Sequence, residues 1–185
     1  MKLTDFLILL IRASGPIRGR TLLQKRAFFV SQLAGLGFEG AFVAHYYGPY
    51  SPPLDTAITH LKALGLVEER TIGFGASGAS GFEIRRFDYT LTDDGENVAE
   101  FLVEQQSEAF HAIERSLRRI EAAGDPGYFE LSIAAKAYYI LQKKGRPMNR
   151  KELIAAAESF DWNIQQDSLE KAVSFLERLD LARSA

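Results

Sequence analysis

Leu3, Phe6, Leu7, Leu10 and Ile11 fall at helical spacing, which predicts a helix over residues 3–12 that Ser14-Gly15-Pro16 ends. Leu22, Leu23, Phe28, Phe29 and Leu33 predict a second over residues 20–34. Gly35, Gly37 and Gly40 then mark a loop, and residues 42–46 have strand character. Leu54, Ala57, Ile58, Leu61 and Leu64 form the apolar stripe of a third helix. Ser51 is placed to cap it, Pro52 and Pro53 sit where a missing N–H costs nothing, and Gly65 marks its end. Residues 66–72 and 82–89 read as the strands of a hairpin, with residues 73–81 as its glycine-rich tip. Thr92 opens a helix with three acids in its first turn, expected to run unbroken to Ala122.

Gly124-Asp125-Pro126-Gly127 is the clearest break in the chain, and beyond it the pattern starts again. The run from Pro16 to Leu23 matches that from Pro147 to Ile154 in character. Leu54, Ala57, Ile58, Leu61, Leu64 and Leu66 match Leu169, Ala172, Val173, Leu176, Leu179 and Leu181. The first copy carries extra residues around Tyr46–Ser51, and the second ends too early for a full wing. The expected fold is mostly α with a small β-wing: two winged helix-turn-helix-like modules joined by a long helix. Its parts are a module at 1–91, a connecting and dimerising helix at 92–123, and a shorter module at 128–185.

Charge sharpens this picture. The 185 residues carry a formal net charge of −2, which argues against wholesale polyanion binding. Residues 1–90 nevertheless sum to +3 and residues 91–185 to −5. No acid stands between Asp5 and Glu39, where Arg12, Arg18, Arg20, Lys25 and Arg26 fall. None stands between Glu130 and Glu152, where Lys136, Lys143, Lys144, Arg146, Arg150 and Lys151 fall. Two basic spots inside a neutral total suit a site-specific nucleic-acid binder, and equally suit solvated helix ends.

Other chemistry is sparse. With no cysteine, disulfides, thiolate metal sites and thiol catalysis are excluded. His45, His60 and His111 lack ligand spacing, so no metal and no cofactor are expected. Gly73-Phe74-Gly75-Ala76-Ser77-Gly78 fits a dinucleotide-binding pattern, but strand-like residues follow where that mechanism needs a helix N-terminus. Ser77 and Ser80 have no neighbouring histidine, and no acid–base pair stands out. The opening apolar run is too short to span a bilayer and lacks a cleavage pattern, so the expected location is cytoplasmic.

Gly19-Arg20-Thr21-Leu22-Leu23-Gln24-Lys25-Arg26-Ala27-Phe28-Phe29, followed by Tyr46-Tyr47-Gly48-Pro49-Tyr50-Ser51, resembles the YwgA-like proteins of bacteria and archaea. Over about residues 3–72 the chain is similar, more distantly, to the Panacea-domain (SocA-like) antitoxins. The resemblance implies a small prokaryotic regulator without enzymatic activity, often of a defence or toxin–antitoxin kind.

The residues and the resemblance converge on two expectations. The first is a non-enzymatic, DNA-binding transcriptional regulator acting as a homodimer through the long helix, whose stripe of Phe110, Ile113, Leu117 and Ile120 offers a subunit surface. Its candidate DNA contacts are Arg18, Arg20, Lys25, Arg26, Tyr50, Ser51, His60, Lys62, Arg85, Arg86, Lys144, Arg146, Arg150 and Lys151. The second is a protein-interaction module, an antitoxin or adaptor, that engages a partner such as a toxin through Tyr46, Tyr47 and Tyr50.

Overall fold

The computed structural model describes residues 1–77 and 82–182. Gly78, Ser80 and Gly81 of the expected hairpin tip lie outside the described residues. Helix α1 (Leu3–Ser14) is buried on nearly every side, from Phe6 to Ile11, and forms the axis of the core. Strand β1 (Ile17–Arg18) leads into α2 (Arg20–Ala34), a short 3-10 turn (Glu39–Ala41) and α3 (Pro52–Ala63). Strands β2 (Val67–Ser77) and β3 (Phe82–Leu91) complete an antiparallel sheet of order β1-β3-β2. The register pairs Ile17 with Tyr89 and Val67 with Leu91. The expected starts of these elements agree with the structure, but β2 runs through Gly73 and Gly75, with an irregularity between Gly73 and Ala76.

The single long helix is corrected. It breaks at Gln106 (φ −132°, ψ 40°) into α4 (Asp93–Gln105) and α5 (Ser107–Ala122). No proline or glycine marks this break. It is imposed by packing, since α4 lies on α1 and β3 while α5 lies across α1 and α2. The Gln106 amide donates to Asp5 at 3.3 Å and pins the corner to the first helix. The stripe on α5 is correspondingly internal: Ile113, Leu117 and Ile120 are buried and Phe110 packs against the same core. The surface on which a homodimer was expected is therefore used within the chain.

After Gly124 (φ +125°) and Asp125 (φ +39°), α6 (Tyr128–Lys144), α7 (Arg150–Glu158) and α8 (Gln166–Arg178) form a three-helix unit without a strand among its described residues. Its burial matches that of the first half in part: Leu169, Ala172 and Leu176 are buried as Leu54, Ala57 and Leu61 are, but Leu179 is buried where Leu64 is exposed. Asn149 caps α7 with a capping box to Glu152. Helix α6 packs on α2, so the halves share one continuous core. No helix of the described residues is long and apolar enough to cross a membrane.

Candidate functional site

The residues before α3 are held by two polar side chains on α2. Gln24 and Lys25 stand four residues before Phe28 and Phe29, so the helical repeat puts all four toward the interior. Gln24 pairs with the Ser51 backbone in both directions, its amide donating to the carbonyl at 3.2 Å and its oxygen accepting from the N–H at 2.9 Å. The Lys25 ammonium donates to the Pro49 carbonyl at 2.7 Å. Ser51 accepts from the Leu54 N–H and caps α3. Both Lys25 and Ser51 are buried, so they are corrected from nucleic-acid contacts to internal fastenings of the turn. The Leu-Gln-Lys helix and the Gly-Pro-Tyr-Ser turn are thus two sides of one contact.

The turn belongs to a small hairpin, closed by a Val43–Tyr50 backbone pair with both hydrogen bonds at 2.9 Å. Its tip is braced from the second half of the chain. Gly48 (φ +93°) lies against α6, where an added Cβ would stand 3.0 Å from Lys136 Cγ and 3.3 Å from the Ser132 carbonyl oxygen. The indole N–H of buried Trp162 donates to the His45 carbonyl at 2.7 Å. Tyr46 and Tyr47 project from this braced tip, 70% and 57% exposed, with their rings edge to face at 4.9 Å. Tyr50 is half-buried, its ring 5.0 Å from that of His45. Burial and the neighbouring Asp55 raise its hydroxyl pKa.

Helix α3 presents Pro52, Pro53, Thr56, Thr59, His60 and Ala63 to solvent, an unbroken face at helical spacing. Arg18, Arg20, Arg85 and Arg86 line one cleft of about 430 Å³ with Phe87 and Tyr128, and Arg20 links it to the first turn of α3 at Asp55. These arginines come from β1, α2 and β3, and the fold alone assembles them. Arg20 lies 5.0 Å over the Phe87 ring centroid, 3.4 Å from the Tyr89 hydroxyl and within 4.0 Å of Asp55 and Glu69. Arg86 forks onto Asp88 at 2.7 and 2.9 Å.

The remaining candidates are dispersed. Lys62 is committed to Glu69 at 2.7 Å, and Arg26 approaches Asp125 at 3.9 Å. Burial alone would raise the Glu69 carboxyl pKa, but the Lys62 hydrogen bond, with Tyr89 and Arg20, lowers it. Around the α6–α7 turn, Arg146 pairs with Glu152 and Arg150 with Glu170, each at 2.8 Å, while Lys144 and Lys151 are exposed. This second spot is separate from the arginine cleft. Sequence reasoning gave no role to Gln24 or Trp162. The signal for Gln24 was its helical spacing to Phe28; Trp162 left none, because its partner is a backbone carbonyl 117 residues away.

Burial, and then the Lys136 charge, push the Lys25 amine down to about 7. Burial pushes the Tyr89 hydroxyl up to about 12. Between about pH 7 and the ordinary lysine value the unfolded chain holds a proton on Lys25 that the folded chain does not. Stability therefore rises with pH across that window. Above pH 10 the sign reverses, because folded Tyr89 keeps a proton that the unfolded chain loses. Urea unfolding from pH 6 to 11 is expected to show a maximum just above pH 10, and Lys25→Met should flatten the rising limb.

No protein-family model and no curated protein matches the chain.

Proposed function

We propose that this chain is a non-enzymatic DNA-binding regulator of winged-helix type, with α3 as the helix that enters the major groove. The observation that carries this reading is the arginine cleft, whose Arg20 reaches Asp55 in the first turn of an open α3. Arginine forks suit phosphate oxygens, while Thr56, Thr59 and His60 are polar groups able to meet base edges. The element order α1-β1-α2-α3-β2-β3 and the sheet order β1-β3-β2 support the same reading, since they put a recognition helix before a wing.

Arg18→Ala tests the phosphate part, because Arg18 is exposed on β1 and has no acidic partner within salt-bridge distance among the described residues. It is expected to weaken binding to all DNA alike and flatten the salt slope by about 0.9. Thr56→Ala and His60→Ala should instead change which sequences are preferred. Measured by fluorescence anisotropy on genomic fragments, no salt-sensitive binding even at low ionic strength would refute the proposal.

A second reading is favoured by the exposed tyrosine pair. Tyr46 and Tyr47 on a braced hairpin form a rigid aromatic anchor of the sort that centres protein interfaces. On this reading the chain is an antitoxin or adaptor, and Tyr46→Ala with Tyr47→Ala ends partner capture without affecting any DNA binding.

A further inference from the structure

A cleft of about 300 Å³ opens at the root of the hairpin, distinct from the open face of α3. Its walls are Arg20, Thr21, Gln24, Lys25, His45, Tyr47 and Tyr50. Lys25 is only 2% exposed, and its ammonium has three protons to place. One goes to the Pro49 carbonyl, and among the described residues no acceptor takes the other two. The groups facing this region are Arg20 on the same helix, Lys136 from α6, and His45, Tyr47 and Tyr50 from the hairpin. No carboxylate lines the cleft, but Asp55 stands at its edge, beside both Arg20 and the Tyr50 hydroxyl. A buried ammonium beside a second lysine, without a counterion, readily gives up its proton, so an anion entering the cleft would hold Lys25 in its charged form.

The aromatic members say more about that anion. Tyr47, Tyr50 and the His45 ring give the cleft flat walls, with the His45 and Tyr50 centroids 5.0 Å apart. The volume is at the low end for ligand sites, so the occupant is small. We propose that this cleft binds a small aromatic carboxylate, its carboxylate on Lys25 and Arg20 and its ring against the hairpin aromatics. The inference goes beyond DNA binding and does not depend on it. The hairpin leads directly into the Ser51 cap, so an occupant would be felt at the start of α3.

Trp162, the chain's single tryptophan, donates to the hairpin at His45 and is a built-in reporter. Titration of the full chain with sodium benzoate at pH 6.5, followed by Trp162 fluorescence and calorimetry, is expected to show saturable binding, and neutral benzamide none. Because the anion needs the protonated amine, affinity should fall about tenfold per unit above roughly pH 8. Lys25→Met is expected to abolish binding. Should that variant fail to fold, Lys136→Gln decides the matter. Removing the neighbouring charge raises the Lys25 pKa, so the pH at which binding is lost should move upward. Equal response to benzoate and benzamide, no binding, or an unmoved pH profile in Lys136→Gln would overturn the proposal.

Discussion

Gly95→Ala is expected to lower the melting temperature by about 6–12 °C, the shift that roughly 3 kcal/mol produces in a chain of this size. Gly95 is the third residue of α4, and its N–H donates to the Thr92 hydroxyl at 3.0 Å. A methyl group there would overlap the Leu66 carbonyl oxygen and come within 3.3 Å of Leu91 Cβ. That carbonyl cannot easily yield, because it accepts the Thr92 N–H at 3.1 Å and stands where α3 passes into β2. The Thr92 hydroxyl meanwhile donates to the Gly65 carbonyl at 2.6 Å. The helix must therefore lift from the sheet or the connection must deform. Circular dichroism melts decide it, and a melting point within about 2 °C of wild type would show that α4 can shift freely.

Gln24→Leu should cost about 2–5 kcal/mol, because both polar atoms of the Ser51 backbone would be left buried without partners. The change keeps the volume and removes only the two hydrogen bonds. Gln24→Glu should fall between, since a carboxylate still accepts from the Ser51 N–H but offers nothing to its carbonyl. Urea titrations of the three proteins test the order. Near-equal stability of Gln24→Leu and wild type would mean that water replaces the amide and that the hairpin is not held from α2.

The elements that can be read from sequence are those whose signal is local. Ser51 before two prolines, glycine after the α3 stripe, and alternation along β3 each specify structure within a few residues, and the structure agrees with them. The break at Gln106 has no such mark: residues 92–122 read as one amphipathic helix, and only competition for the surfaces of α1 and α2 bends it. Charge misled in a related way. Lys25 sits among basic neighbours in the sequence, yet its spacing to Phe29 takes it inside, whereas Arg18, Arg85 and Arg86 meet only because β1 pairs with β3. The tyrosines divide for the same reason. Tyr46 and Tyr47 stand exposed at the tip, whereas Tyr50 is half-buried at the Val43–Tyr50 pair that closes the turn.

The contact between Trp162 and His45 changes what counts as a part of this protein. The glycine-rich break at residues 124–127 looks like a place to divide the chain, and the partly repeated burial pattern on either side invites it. Yet the loop unique to the first copy ends on a wall supplied by the second, through Lys136, Ser132 and Trp162. The two halves are therefore not interchangeable: the second buttresses a loop that only the first contains. A substitution at Ser132, Lys136 or Trp162 is thus felt in the shape of a hairpin that the C-terminal half does not contain.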